Sequence, residues 1–351
     1  MDGFAQSALA TADDVAKAAG VSQATVSRAF TPGSSINEAT RGKVFQAAER
    51  LGYRPNLIAR SLTSGRSHLV GIGIENLQNP FFSETLEALS VQLAQAGLRS
   101  MLFTTGPDDG EDARVQEVLR YGLDALVLVS ATFSSTFASQ CRAARVPVVL
   151  YNRTNDDRGI PSVTGDNIGG ARSLAAFLIA GNHRRFAFMA GVEDTSTSRD
   201  REGGFTAYLL ERGLGPPLRE QGHFTYAGAA AATRRLLTAG ERPDALFCAN
   251  DHMAMAAIDV AHFEFGLEVG REISIVGFDD IEAASRPNYS LTTFAQRSEQ
   301  MVAATVDIVE GIRAGRPGPV HRLVEGELVI RTSARRPSRG AKDLNTDRTE
   351  A

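Results

Sequence analysis

The chain has 351 residues, 43% hydrophobic and 22% charged, which excludes a disordered or low-complexity chain and leaves room for two or three domains with sizeable cores. No apolar run is long enough to span a bilayer, and the start MDGFAQSALATADD lacks the basic opening of a secretory signal. The two cysteines, Cys141 and Cys248, lie in separate apolar segments, so a cytoplasmic protein with free thiols is expected.

The net charge of −4 is uneven, because residues 1–66 hold eight Lys and Arg against five Asp and Glu, whereas residues 67–330 carry −10. A basic head on an acidic body points to a polyanionic partner for the head. After residues 1–10, read as a flexible start, Thr11 with Asp14 three residues on spells a capping box, and Val15, Ala16 and Ala19 supply an apolar face. Gly20 ends that helix, and Ser22 caps a second one from Gln23 to about Phe30. Pro32 to Ser35 form a loop. Asn37 caps a third helix with Val44, Ala47, Ala48 and Leu51 inward, and Gly52 closes it. Two short helices around a tight turn, braced by a third, predict a helix-turn-helix over residues 11–55. Its second helix suits close approach to DNA. Val21 and Val26 face the core, while Gln23, Ala24, Thr25, Ser27 and Arg28 face outward. Arg28 can pair with guanine O6 and N7, Gln23 with adenine, and Ala24 can touch a thymine methyl. A plain surface helix of a small bundle has the same pattern. Residues 56–66 follow as a helix too short to be stable alone, then a Thr-Ser-Gly linker.

The stretches TADDVAKAAGVSQATVSRAF, NEATRGKV and LGYRPNLIARSL resemble, without a gap from Thr11 to Leu62, the DNA-binding head of LacI-type transcription regulators. That resemblance implies base reading by Gln23, Ala24 and Arg28. It implies phosphate contacts by Ser22, Thr25, Ser27, Asn37, Thr40 and Arg41, and places Tyr53 and Asn56 at the entry to a hinge helix. It also makes Leu62 a wedge between central base pairs in the minor groove, with Ala59 one turn earlier on the same side.

From Leu69 the pattern changes. Apolar runs 69–74, 100–105, 125–130, 147–152, 185–191, 245–250 and 273–278 alternate with amphipathic helical stretches, which predicts parallel sheets covered on both faces. The length of residues 67–332 favours an α/β body of two doubly wound lobes with a ligand between them, where strand ends meet. Residues 333–351 read as a solvated, disordered tail.

Polar and aromatic residues gather at those strand ends: Asn79 and Phe82, Asp166 and Asn167, Arg199 and Arg201, Phe224, Asn250 and Asp251, Asp279 and Asp280. Asp166 and Asp251 each precede a helical stretch, and each taken singly reads as no more than a helix cap. As a set, carboxylates, amides and guanidinium groups with an aromatic ring meet the needs of a sugar or polyol site. NPFF, VTGDN, SRDREGGF, CAND, ISIVGFDD and SLTTFAQ stand in the order found in LacI-type regulators, so the resemblance extends over the body and implies a type I periplasmic-binding-protein-like fold. It implies ligand contacts by Phe82, Asp166, Arg199, Arg201, Phe224, Asn250 and Asp279, with Arg201 as the main clamp. Two neighbouring arginines leave sugar, polyol, sugar acid and sugar phosphate all open as effectors. The resemblance further implies operator DNA as partner and a homodimer, with no membrane attachment.

No histidine pair has metal-ligand spacing and no GxSxG, P-loop or dinucleotide fingerprint occurs, so no enzyme, metal or cofactor is expected. The rivals are a type I sugar-binding protein without DNA function, and a hydrolase working through Asp166, Asp279 or Asp280.

Overall fold

In the head, caps decide where each helix begins. The side chain of Thr11 accepts from Asp14 N at 3.3 Å and the Asp14 carboxylate accepts from Thr11 N at 2.9 Å, starting α1 (Ala12–Ala19). Gly20 ends it in the left-handed conformation, φ 68°. Ser22 accepts from Thr25 N to start α2 (Gln23–Ala29), and Asn37 accepts from Ala39 N to start α3 (Glu38–Leu51). Each such cap is worth about 0.5–2 kcal/mol. The core is small: Val15 and Ala16 of α1, Val26 and Ala29 of α2, and Val44, Ala47 and Ala48 of α3. Leu51, expected inward, is 38% exposed. Left-handed Gly52 turns the chain so that Tyr53 N bonds Ala48 O at 2.8 Å, and Tyr53 packs on the core edge instead.

The computed structural model describes residues 10–31, 33–54, 66–74, 76–104, 111–129, 135–155, 157–193, 195–316, 318 and 320–337. Asn56, Ala59 and Leu62 lie outside the described residues. The chain divides into two compact units, residues 1–67 and 68–351.

The second unit starts with β1 (Leu69–Gly73), α4 (Pro80–Gln95), β2 (Arg99–Phe103), α5 (Glu111–Arg120), β3 (Ala125–Leu128), α6 (Ser135–Ala143), β4 (Val148–Tyr151) and β5 (Ser162–Gly165). It then crosses to a second lobe: α7 (Asn167–Ala180), β6 (Phe186–Ala190), α8 (Ser196–Glu211), β7 (Leu218–Gln221), α9 (Tyr226–Thr238), β8 (Ala245–Cys248), α10 (Asp251–Asp259), β9 (Ser274–Asp279) and β10 (Thr292–Ala295). It returns through α11 (Ser298–Arg313) to β11 (His321–Val324) and crosses a third time to β12 (Glu327–Val329). The first sheet runs β11-β5-β4-β3-β1-β2, with every neighbour parallel. The second runs β12-β10-β9-β8-β6-β7, parallel except for β12 against β10.

These are the two doubly wound lobes, and the fully buried strands β3, β4, β6, β8 and β9 are the continuous apolar runs of the sequence. Helices α7 and α8 pack so closely that a Cβ on Gly204 would sit 2.7 Å from Ile168 O. The body extends past residue 332. Ser333 Oγ donates to Ile275 O and Ala334 is buried, so these residues close over β9.

Candidate functional site: a DNA-reading helix and a ligand cleft

On the head, α2 buries Val26 and Ala29 and leaves Gln23, Ala24, Ser27 and Arg28 exposed. Ser22 and Asn37 are also exposed, although their side-chain oxygens are used as caps. Thr25, Thr40 and Arg41 are half-buried. Arg41 Nη2 donates to Ser34 O and Oγ at 3.2 Å, which holds its guanidinium against the turn before α3. Tyr53 is half-buried, its ring 5.8 Å from that of Phe30. The outward set on α2 is therefore small, mostly uncharged, and ends on Arg28, the chemistry that base edges in a major groove accept.

In the body, strand ends from both lobes surround a cavity of ≈ 230 Å³. Arg201, on the second turn of α8, is 2% exposed and reaches into it. Its Nε donates to Asn167 Oδ1 at 2.8 Å, Nη1 donates to Ala249 O, and the guanidinium lies over the Phe278 ring, 3.8 Å from the centroid. Nη2 stands 3.3 Å from Asp279 Oδ1, an ion pair off-line for a hydrogen bond, and that nitrogen makes none. A buried N–H donor is thus left for a guest.

Asp279 ends β9 at φ 124°, a backbone conformation that costs a non-glycine residue about 1–3 kcal/mol and that concentrates at functional sites. Gln296 Nε2 donates to its Oδ1 at 2.7 Å. Burial pushes the Asp279 carboxyl above the usual carboxylate range, and Arg201 pulls it back. Burial likewise lowers Arg201, with Asp279 opposing.

Aromatic faces close two sides. Phe82 comes from the first turn of α4, and the Phe224 ring abuts Gly191, where a Cβ would strike its Cζ and Cε atoms. Asn250 lines the cavity while its Oδ1 accepts from Met253 N at 3.0 Å, so it is also the cap of α10. Asp251 is not that cap. Its buried carboxylate accepts from Thr293 Oγ1 at 2.6 Å and Ile281 N at 3.0 Å, pinning α10 to the strand and turn beside it.

Two expected contacts are placed elsewhere. Asp166 caps α7 through Gly169 N at 2.9 Å and is not among the cavity-lining residues. Arg199 points to the surface with its side chain 62% exposed, paired to Asp200 at 3.2 Å, because it sits two positions from Arg201 and so on the far side of α8. In their place the cavity recruits Asn76, Asn152, Thr197 and His223. Asn76, Asn152 and His223 share left-handed backbone, φ 55–56°, at the turns that leave strands, and Asn152 Oδ1 is a buried acceptor without a hydrogen bond. The sequence reading missed all four; asparagine at a strand end was the one signal available, and only for Asn76 and Asn152.

Hydrogen bonds cross the cleft beside the cavity. Asn76 Nδ2 donates to Phe224 O at 3.2 Å, Thr154 N to Ser196 Oγ at 3.0 Å, and Glu282 N to Glu84 Oε1 at 3.3 Å. Burial, then the neighbouring acids, raise the Glu84 carboxyl.

Residues 11–56 match the family model "Bacterial regulatory proteins, lacI family", and residues 175–334 match the periplasmic binding protein-like domain. The HTH-type transcriptional regulator AscG of Escherichia coli K12 is 31% identical over 93% of this chain and 98% of its own. The chain belongs to the LacI family. It is a DNA-binding transcription regulator with an N-terminal helical head and a two-lobed α/β body. Among solved structures, the Lac repressor dimer bound to operator and the anti-inducer ONPF superposes with TM-score 0.83 at 28% identity, covering 93% of this chain and 99% of that one. The CelR–cellobiose complex gives TM-score 0.71 at 30% identity, covering 93% of this chain and all of that one. No helix among the described residues is long and apolar enough to cross a membrane.

Proposed function

We propose that the regulator is a cytoplasmic repressor that binds a partly palindromic operator as a homodimer and is released or engaged by a small neutral sugar in the cleft. The observation that carries the effector class is the charge balance of the cavity. Arg201 is the sole Lys or Arg among its described lining residues, and Asp279 already matches its charge. Apart from the His223 imidazole, the remaining polar lining is neutral amide and hydroxyl, with Phe82 and Phe224 to cover the C–H faces of a ring. A sugar acid or sugar phosphate would bring a charge into a cavity whose one arginine is already paired, leaving the His223 imidazole as the remaining basic group. This narrows the effector from the wider set that two arginines allowed, since Arg199 is spent at the surface.

In this reading Phe82, Arg201, Phe224, Asn250 and Asp279 contact the sugar. Gln23, Ala24 and Arg28 read bases, and Ser22, Thr25, Ser27, Asn37, Thr40 and Arg41 hold phosphates. The roles of Asn56, Ala59 and Leu62 in a minor-groove hinge rest on the sequence alone. No catalytic role is assigned, since the carboxylates of Asp251 and Asp279 are committed to Thr293, Ile281, Gln296 and Arg201.

A thermal-shift panel tests the effector class with neutral sugars, sugar acids and sugar phosphates at matched concentration. A neutral sugar at about 100 times its Kd stabilises by about 2.7 kcal/mol. A larger shift from a phosphate or uronate than from any neutral sugar overturns this reading of the cleft.

A further inference from the structure

The three strands that join the lobes are the parts that must bend if the lobes rotate. Two of them are tied directly to the Arg201–Asp279 pair. On the first crossover, Asn167 accepts from Arg201 Nε through Oδ1 and donates through Nδ2 to Thr164 Oγ1 at 3.1 Å and Gly165 O at 3.3 Å. On the second, Gln296 directly follows β10 and donates to Asp279 Oδ1 at 2.7 Å. Gln296 also touches the first crossover, because a Cβ on Gly165 would run into its Oε1. That Oε1 is buried with no hydrogen-bond partner, and the residue is 6% exposed, yet it does not line the cavity. A buried amide that donates to a carboxylate on one side and rests on a glycine of the neighbouring strand on the other has no spare room. If Asp279 shifts, Gln296 must shift, and both crossovers move with it.

We propose that Gln296 is the positioning residue that couples occupancy of the cleft to the crossover hinge, holding the lobes in register with the Arg201–Asp279 pair. It contacts no ligand itself. A sugar that takes up Arg201 Nη2 redistributes the guanidinium between the sugar and Asp279. Gln296 then follows Asp279, and Asn167 follows Arg201. The inference rests on the reading of the cleft as a neutral-sugar site.

The test uses the full chain, a labelled duplex from its own upstream region, and D-glucose, D-ribose and cellobiose as probes. Sugar affinity is measured by calorimetry, and DNA affinity with and without each sugar. Wild type is expected to change its DNA affinity about 5- to 150-fold on binding a sugar, the usual range of such coupling. Gln296→Met keeps the volume and removes the donor. It is expected to retain sugar binding and sugar-free DNA binding, each within about threefold, while the sugar-dependent change in DNA affinity falls below about threefold. A residue of merely structural importance would weaken binding without this selective loss. If Gln296→Met does not fold, Gln296→Asn replaces it, because an amide one methylene shorter withdraws the same donor from Asp279. Full retention of the DNA response in a folded variant that still binds the sugar overturns the coupling role alone. Loss of sugar binding in proportion to the lost response also overturns it, by making Gln296 part of the ligand site. If no probe binds wild type at all, the neutral-sugar reading fails first, and the coupling role falls with it.

Discussion

Replacing Arg201 with Met removes the charge but keeps much of the stem. The variant loses the bond to Asn167, the bond to Ala249 O, the ion pair with Asp279 and the contact with the Phe278 ring, all in a site where Arg201 is 2% exposed. Breaking a buried ion pair from one side costs about 3–5 kcal/mol, mostly because the partner stays buried and unpaired. For a unit of this size each kcal/mol lowers Tm by about 2–4 °C, so the body should melt about 6–20 °C lower. The loss depends on pH. Burial already makes the folded protein hold the Asp279 proton more tightly than the unfolded chain does, and Arg201 opposes this. Without Arg201 the folded carboxyl rises further. The folded state then binds more protons than the unfolded state above about pH 4, so stability falls as pH rises through the folded value. The deficit is therefore smaller at pH 5 than at pH 8, where a charged Asp279 keeps the amide bond from Gln296 and has no counter-ion. Calorimetric scans of parent and variant at both pH values read this directly. The reasoning is refuted if the variant melts within about 2 °C of the parent at pH 8, or if its deficit grows as pH falls.

Three further outcomes follow from the same structure. Arg28→Ala removes the one charged side chain on the outer face of α2, and should cost about 1–3 kcal/mol at one base pair in each half-site, measured by competition between operator variants, with sugar binding unchanged. Thr11→Ala deletes the side-chain half of the capping box on α1, leaving the backbone N of residue 11 bonded to Asp14, and should destabilise the head by about 0.5–2 kcal/mol in thermal unfolding, weakening DNA binding only near the head's melting range. Gly204→Ala forces α7 and α8 apart, since the new Cβ meets Ile168 O at 2.7 Å. It should cost about 1–3 kcal/mol in denaturant titration, with no effect if the helices slide freely.

Much of the fold was legible because its signals are local. Thr11, Ser22 and Asn37 start helices as the sequence suggests, and glycines 20 and 52 stop them. Strands buried on both faces appear as apolar runs. Strands β7 (LREQ), β11 (HRLV) and β12 (ELV) are short edges without a buried residue, held by backbone pairing with distant partners, so no side-chain period marks them. Strand β10 (TTFA) is buried, but its threonines bond Asp251 and Arg331 O, polar partners that mask its burial in the sequence. In the cleft, Phe82, Arg201, Phe224, Asn250 and Asp279 could be named from strand ends and from the resemblance. Asp166 could not be separated from a ligand contact, because a helix cap and a sugar contact ask for the same carboxylate at the same place. Arg199 and Arg201 look alike in sequence, and only the turn of α8 sends one outward and one inward. The Gln296 link depends on two crossovers lying side by side, which no local pattern records.

The central claim is that one small molecule in the body sets the affinity of the head for DNA. The direct measurement is fluorescence anisotropy of a labelled upstream duplex titrated with the full chain, with and without the neutral sugar that stabilises it most. The account predicts a change in DNA affinity of about 5- to 150-fold, and the same factor in sugar affinity when DNA is bound, since such coupling is reciprocal. A sugar that binds the body with full stabilisation while DNA affinity stays unmoved would contradict it.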